Sequence, residues 1–193
     1  MRRVFWLLAL TTMLGCTPPR QQETTAPQAP AVAPPPVKYE GPPLPFEDEG
    51  ACPFEGCTYR EWTATAKVTV LRERRQDAPV AFELPKGARI TALTGVVVTV
   101  VPGIVQLDQA TDVETGQGPI HLGAGQVFYL LTYQGEGYSK AWINGQVHTD
   151  VEAATYKPKR IASAIWWVQV RNSRGQVGWT QHPESFDGKD RLG

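Results

Sequence analysis

The side chains that could carry acid–base, nucleophilic or metal chemistry are few and scattered in this sequence. The three histidines, His121, His148 and His182, stand singly, whereas a catalytic nucleophile needs a histidine beside it and a metal site needs several ligands. The GxSxG and HExxH motifs do not occur, and the glycines lie in turn sequences rather than in a phosphate-binding loop. The sequence therefore predicts a protein that is not an enzyme, with no catalytic residue, no metal site and no cofactor.

The amino terminus has the composition of an export signal. Arg2 and Arg3 precede a mostly apolar run, 4–14, which is too short to span a bilayer. The run ends in Met-Leu-Gly before Cys16, and this resembles a bacterial lipobox, whose cysteine is diacylated and becomes the new amino terminus. The resemblance implies a lipoprotein signal peptide at 1–15 and lipidation of Cys16. The alternative is a plain secretory signal with an incidental cysteine.

Acylation would make the membrane a partner of this chain, because two or three acyl chains anchor a protein stably without a spanning helix. Thr17 follows Cys16 where an aspartate would resemble the inner-membrane retention signal of enteric bacteria. The resemblance therefore implies a location in the cell envelope, lipid-anchored at the outer membrane and facing the periplasm if the source is Gram-negative.

Cys52 and Cys57 belong to the motif CPFEGC. In an oxidising compartment an even pair at this short separation most simply closes a local disulfide, and Pro53 and Gly56 make the loop easy to close. A redox-active pair would be two residues apart. We therefore predict a structural Cys52–Cys57 disulfide.

Ten of the 17 prolines fall between Pro18 and Pro45. Few residues there are apolar enough to offset the entropy of ordering, so we predict a disordered linker with polyproline II bias at 16–49 and a folded domain at 50–193. The linker is predicted to be a spacer that holds the domain off the lipid surface. The alternative is a peptide ligand for a proline-recognising groove, including a groove of this same protein.

The charge balance argues against a polyelectrolyte partner. Lysine plus arginine and aspartate plus glutamate both total 19, whereas a nucleic-acid binder shows a basic excess, so we predict no nucleic-acid partner. The basic run 157–160 indicates a solvated loop, with contact to lipid headgroups or an anionic wall polymer as the alternative.

Alternating and β-branched segments separated by glycine and proline turns predict an all-β domain of about eight short strands. Val96–Val101 predicts a strand with Val105–Leu107 as its hairpin partner, and 126–133 predicts a strand buried on both faces. Segments 135–147 and 165–179 echo each other, each with an aromatic strand, a glycine turn and Gly-Gln-Val. The echo indicates two related or nested β-units.

Segment 69–95 resembles the opening half of a bacterial SH3 domain, with a strand, a long loop, Pro-x-Gly and a second strand. Segment 166–186 resembles the closing half, in which two tryptophans start a strand and Gly178-Trp179 leads into a short helical turn at 183–186. The block between them, 96–160, departs from the family. It is either a long insertion at one loop or a second SH3-like unit with exchanged halves, and the echo favours the second.

The resemblance implies binding, since such domains commonly recognise cell-wall peptides, peptidoglycan or partner proteins. Trp166 matches the position whose indole often lies on the ligand surface. Strand alternation instead places Trp166 with Val168 and Val170 toward the core and turns Trp167 outward. We therefore predict that one tryptophan of this pair is exposed and is a ligand-binding candidate, with a core position as the alternative.

Two tyrosines, Tyr133 and Tyr138, are further candidates for the rim of a binding groove, whereas Trp142 and Trp179 are predicted to lie in the core. Together these features predict a lipid-anchored envelope module of SH3-like β architecture that binds peptidoglycan or an envelope protein. The rival is a structural accessory subunit of an envelope complex. That subunit would show an exposed apolar patch on the strand face of Val96–Val101.

Overall fold

A computed structural model describes residues 40–192 of the chain. These residues form fourteen β-strands and two 3₁₀ helices of three residues each, and the all-β prediction is confirmed. The predicted signal peptide 1–15, Cys16 and most of the predicted linker lie outside the described residues. No helix within 40–192 has both the length and the apolar character needed to cross a membrane.

The strands follow in chain order, with one 3₁₀ helix after β11 and the other after β13. They are β1 (Phe46–Glu49), β2 (Glu61–Ala64), β3 (Val68–Leu71), β4 (Val80–Leu84), β5 (Arg89–Val101), β6 (Gly103–Gln106), β7 (Thr111–Val113), β8 (Ile120–Leu122), β9 (Val127–Gly135), β10 (Tyr138–Ile143), β11 (Gln146–Glu152), β12 (Ser163–Asn172), β13 (Val177–Thr180) and β14 (Phe186–Asp187). The 3₁₀ helices are Ala153–Thr155 and Pro183–Ser185.

The larger sheet is built from the two segments that resemble SH3 halves. Its strand order is β14-β2-β5-β12-β13-β3-β4, and β1 also pairs with β5. The sheets curl into a half-barrel, an architecture compatible with SH3-like small barrels. We call β2–β5 together with β12–β14 the split unit, because its two halves are far apart in the sequence.

One apolar cluster fills the split unit. Alternation along its strands turns every second side chain inward, and each large apolar side chain that is fully buried contributes about 1.5–3 kcal/mol to stability. The buried members are Trp62, Ala64, Val68, Val70, Phe82, Leu84, Ile90, Ala92, Val168, Val170 and Phe186. Tryptophan, phenylalanine and branched side chains from both sequence halves therefore meet in one core.

Strands β6–β11 form a second, continuous unit, which we call the inserted unit. Its four-stranded sheet has the order β11-β10-β9-β6, and β7 pairs with β8. Its own core contains Val105, Leu107, Val113, Leu122, Phe128, Leu130, Ala141, Ile143 and Val151. Each unit thus has a separate hydrophobic core.

The inserted unit lies within the connection between β5 and β12. β5 and β12 are antiparallel neighbours, and Val101 at the end of β5 lies opposite Ser163 at the start of β12, so the chain leaves and returns at adjacent points. The echo favoured a second SH3-like unit with exchanged halves in the block 96–160. That prediction is wrong, because the strands of the inserted unit pair among themselves. The predicted hairpin of Val96–Val101 with Val105–Leu107 is also wrong, because β6 pairs with β9.

The local turn predictions hold. Asn144 and Gly145 both have positive φ, 51° and 84°, which matches the two-residue hairpin loop that Asn-Gly favours and joins β10 to β11. β12 and β13 form the second hairpin of the echo, and a 3₁₀ helix occupies the predicted helical turn. Local residue patterns therefore predicted these elements correctly.

Residues 40–57, which we call the joining segment, belong to the folded region, so the boundary predicted at residue 50 is wrong. β1 lies inside the predicted linker and pairs with β5 from Phe46 opposite Thr99 to Glu49 opposite Val96. The sequence Phe-Glu-Asp-Glu has little strand propensity. Pairing with β5 satisfies its backbone donors and acceptors, which the sequence of the segment alone does not indicate.

Candidate functional site

The joining segment contacts both units, and an ion pair is the central contact. Asp48 lies opposite Val97 of β5, and its Oδ1 is 2.7 Å from Lys140 Nζ on β10. Asp48 is only 6% exposed. An ion pair at a buried position fixes the distance between the two elements that carry its charges.

The Cys52–Cys57 disulfide closes the loop that follows β1, as predicted, with the two Cα atoms 5.5 Å apart. Phe54 inside this loop packs edge-on against Trp166, with ring centroids 6.0 Å apart. The amide of Gly50, just before the loop, donates to the carbonyl of Gly95 over 2.8 Å. The disulfide therefore fixes a loop that packs on the split unit.

A cavity of about 170 Å³, which we call the junction cleft, opens between the joining segment and the inserted sheet. It is lined by Asp48, Ala51, Cys52, Thr132, Tyr133, Gln134 and Lys140. The hydroxyl of Thr132 is buried and has no hydrogen-bond partner among the described residues. A buried donor without a partner is costly, and Thr132 is one of the residues that line the cleft.

Of the two predicted tyrosines, Tyr133 lines this cleft, whereas Tyr138 lies two positions before Lys140 on β10 and does not line it. Tyr133 is 48% exposed, and Tyr138 is 38% exposed. Tyr138 lies opposite Gly135 on β9, while its neighbour Ser139 lies opposite Tyr133. The accessible phenol ring of Tyr133 can stack on a flat ligand, and its hydroxyl and the ammonium of Lys140 can donate hydrogen bonds to the ligand's oxygens.

Trp166 belongs to an aromatic cluster on the other side of the disulfide loop. Its indole Nε1 donates to Tyr59 Oη over 3.1 Å, and the Tyr59 hydroxyl donates to the carbonyl of Ala51. Gly95 lies beneath both rings, since a Cβ there would be 2.0 Å from Tyr59 Oη and 2.6 Å from Trp166 Nε1. The cluster therefore requires glycine at this position of β5.

Burial is the main reason that the pKa of Tyr59 is raised to about 12. The hydrogen bond from Trp166 lowers this pKa, and the nearby charge of Asp48 raises it. The phenol consequently stays protonated and keeps its bond to Ala51 well above neutral pH. Burial, together with Glu114 and Glu152, also raises the pKa of Tyr156 in the inserted unit.

The prediction that one tryptophan of the pair is exposed is wrong. Trp166 faces the split-unit core and is half-buried, and Trp167 is only 4% exposed. Trp167 shares the opposite face of the sheet with Glu49 and Val96. Arg74, from the loop between β3 and β4, pairs with Glu49 on this face. Alternation correctly assigned the inward side, but Trp167 on the outward side is not open to solvent.

Arg74 holds that loop down through three contacts. Its Nη1 is 3.1 Å from Glu47 Oε2, its Nη2 is 3.0 Å from Glu49 Oε1, and its guanidinium carbon lies 5.3 Å from the centre of the Trp179 ring. Trp179 is half-buried beneath it. The predicted core position of Trp179 is therefore wrong, because its ring lies on the outer face under an arginine.

Trp142 is also half-buried rather than in the core. It lies opposite Tyr129 on the outer face of the inserted sheet, and its Nε1 donates to the carbonyl of Glu40 over 3.0 Å. Gly41 lies against the ring of Tyr129. This outer face is covered by the start of the joining segment.

The histidines do not assemble with other reactive groups. His121 Nδ1 is 2.7 Å from Asp112 Oδ1 and His182 Nδ1 is 3.0 Å from Glu184 Oε1, and both pairs are exposed. Among residues 40–192, no cluster of three or more His, Cys, Asp or Glu side chains could hold a metal ion.

Sequence reasoning missed Asp48, Lys140 and Thr132. Asp48 was assigned to the linker, and Lys140 and Thr132 looked like ordinary positions on alternating strands. No local pattern joins Asp48 to Lys140, which is 92 residues away in the chain.

Comparisons of the chain with protein-family models, with curated proteins and with solved structures found no match. The likeness to SH3 domains therefore depends on the sequence motifs and on the curled β architecture.

Proposed function

We propose that this chain is a lipid-anchored binding module of the cell envelope, which recognises peptidoglycan or an envelope protein through its SH3-like domain. The observation that carries the proposal is the junction cleft, where the accessible ring of Tyr133 lies beside the Asp48–Lys140 pair. Ligand sites typically combine an apolar or aromatic lining with a few convergent polar groups.

The chemistry of the cleft suits a wall peptide or glycan. A phenol ring packs on the flat face of a sugar or a peptide bond at low entropic cost, and the ammonium of Lys140 has donors left after its contact with Asp48. Those donors suit the carboxylate and carbonyl oxygens that stem peptides carry. Trp166 and Trp167 then support the surface from beneath rather than touching the ligand.

The disulfide and the amino-terminal motif support an envelope location. A structural disulfide persists in oxidising compartments and is rare in reducing ones. We propose that Cys16 is acylated, that 1–15 are removed, and that the chain is held at the outer membrane facing the periplasm in a Gram-negative source. Labelled palmitate should enter the wild-type protein and not the Cys16→Ser variant, whereas equal labelling would contradict the anchor.

Co-sedimentation with purified peptidoglycan tests the binding role. The full chain should pellet with the polymer, and Tyr133→Ala with Tyr138→Ala should reduce the bound fraction about tenfold, because the ring that lines the cleft and the exposed ring two positions from Lys140 are both removed. Ile161→Ala is the matched control, since Ile161 is an exposed apolar residue outside the cleft. If the wild type fails to pellet and crosslinks to no envelope protein in cells, the proposal fails.

One observation favours the rival role of accessory subunit. Val100, Val101 and Ile161 are exposed, and Ile161 is 80% exposed. The predicted patch along Val96–Val101 is nevertheless smaller than expected, because Val96 and Val97 are buried. If the rival role is correct, Ile161→Ala should abolish crosslinking to an envelope protein, while the tyrosine double variant should leave it intact.

A further inference from the structure

The outer face of the inserted sheet holds a proline-rich strand of chain. Tyr129 and Trp142 lie directly opposite each other on β9 and β10 and form a cross-strand aromatic pair. The sequence that passes over this face is Glu-Gly-Pro-Pro-Leu-Pro, residues 40–45. It has no strand assignment of its own before β1 begins.

Two contacts tie this short segment to the pair. The Trp142 indole donates to the carbonyl of Glu40 over 3.0 Å, and Gly41 lies against Tyr129, where an added Cβ would meet the ring at 3.5 Å. Pro42 is buried, whereas Pro43 is exposed. The first of these two prolines is therefore covered by the protein and the second is open to solvent.

These features are the chemistry by which proteins recognise proline-rich peptides. Such a peptide has few backbone donors and is already extended, so its partner supplies flat aromatic rings for the proline rings and an N–H for a free carbonyl. An indole provides both a ring and a donor. Tyr129 and Trp142 offer this combination on the inserted unit, away from the SH3-like half-barrel.

We propose that the Tyr129–Trp142 pair is a binding site for proline-rich peptide, occupied in this chain by its own residues 40–45. Residues 40–45 belong to the same chain as the site, and β1 attaches them to β5 a few residues later. Their effective concentration at the site is therefore in the millimolar range. This proposal is independent of the ligand of the junction cleft.

The test is a competition between the chain's own segment and a peptide of the same sequence. Pro42→Asp in the full chain places a carboxylate at a buried position, which should expel the segment from the site. A capped heptapeptide EGPPLPF should then bind this variant at least tenfold more tightly than it binds the wild type, as measured by tryptophan fluorescence or calorimetry. The peptide EGAALAF should not bind.

Substitutions in the Tyr129–Trp142 pair test whether the peptide binds at this site. In the Pro42→Asp background, Trp142→Phe should weaken peptide binding about fivefold through the lost hydrogen bond, and Tyr129→Ala should weaken it about tenfold through the lost ring. Trp179→Phe is the matched control and should change nothing, because Trp179 lies in the split unit. Absence of saturable binding, or binding that both pair variants leave unchanged, would overturn the proposal.

A measurement on unaltered residues keeps the test valid if a variant folds poorly. In the wild type the indole N–H of Trp142 should exchange with solvent at least tenfold more slowly than that of Trp179, which has no hydrogen-bond acceptor among the described residues. Pro43→Ala at the exposed proline should leave this protection unchanged, and Pro42→Ala should reduce it. Equal exchange of the two indoles in the wild type would overturn the proposal.

Discussion

The outer face of the split unit is covered by a loop of that unit, whereas the outer face of the inserted unit is covered by residues that lie outside it in the chain. In the split unit, Arg74 bends over Trp179 and reaches Glu47 and Glu49. In the inserted unit, Trp142 and Lys140 receive Glu40 and Asp48 of the joining segment.

This difference shows how an insertion is integrated into a small β domain. The inserted unit has its own core, but one face of its sheet would be left partly bare without the joining segment. Contacts over 92 and 102 residues of sequence supply the cover. The joining segment therefore couples the stability of the inserted unit to the split unit, and each prediction below tests that coupling from one side.

The largest effect is expected from truncating the inserted core. Phe128 is fully buried and meets Tyr156 edge-on, with centroids 5.3 Å apart, so Phe128→Ala should cost about 3–5 kcal/mol. Because the two cores are separate, hydrogen exchange of β9–β11 amides should speed up by about two to three orders of magnitude, with little change in β2–β4.

The matched control is Phe186→Ala, an equally buried phenylalanine of the split unit. It should accelerate exchange in both units, because the inserted unit is held at its ends by β5 and β12. Equal acceleration of both units by Phe128→Ala would mean that the molecule has a single cooperative core.

The second effect concerns the ion pair that couples the units. Lys140→Met leaves the Asp48 carboxylate buried without a partner, and we expect a loss of about 2–3 kcal/mol, with faster exchange of β1 amides. Lys67→Met is the control, because Lys67 and Glu83 form a pair of similar length, 2.8 Å, that is exposed within the split unit. It should cost less than about 1 kcal/mol. Equal losses in urea unfolding would contradict the coupling.

Arg74→Ala tests the cover of the split unit and should have a smaller effect, about 1 kcal/mol. Cation–π contacts and partly exposed ion pairs are each worth up to about that much. The emission of Trp179 should shift to longer wavelength as water reaches its ring. Arg75→Ala is the control, since Arg75 is exposed and only approaches Glu73 and Asp77 at 3.5 Å. If Arg75→Ala costs as much, the loop is not held through Arg74.

The sequence allowed good predictions where the deciding interactions are local. The Asn144-Gly145 turn, the 3₁₀ helix at Pro183–Ser185 and the Cys52–Cys57 disulfide each depend on residues a few positions apart, and their preferences are written in those residues. Alternation also assigned Trp166 to the core side correctly.

The remaining features depend on which other segment packs on the outer face of a sheet. The alternation of apolar residues along a strand carries no information about that segment. One of Trp166 and Trp167 was expected to be exposed because neighbouring strand residues face opposite sides, but Trp167 on the outward side is only 4% exposed. β1 was assigned to the linker because few residues of 16–49 are apolar enough to offset the entropy of ordering, whereas its pairing with β5 and the contact of Asp48 with Lys140 are decided by residues far along the chain. The junction cleft, which lies between such distant elements, could not be predicted for the same reason.

The smallest effect is a change of slope at alkaline pH. Tyrosine titrates near pH 10 in an unfolded chain, and Tyr59 in the folded protein has a pKa of about 12. The folded state therefore binds this proton more tightly, so its contribution to the free energy of unfolding is complete below pH 10 and is lost as the pH rises from 10 through 12.

Tyr59→Phe should remove this part of the decline in urea unfolding measured from pH 9 to 12, and should remove the late phase of tyrosinate absorbance at 295 nm. Tyr156→Phe is the control in the inserted unit and should leave the phase assigned to Tyr59 in place. An unchanged slope in Tyr59→Phe would mean that deprotonation of Tyr59 does not open the contact between the joining segment and the split unit.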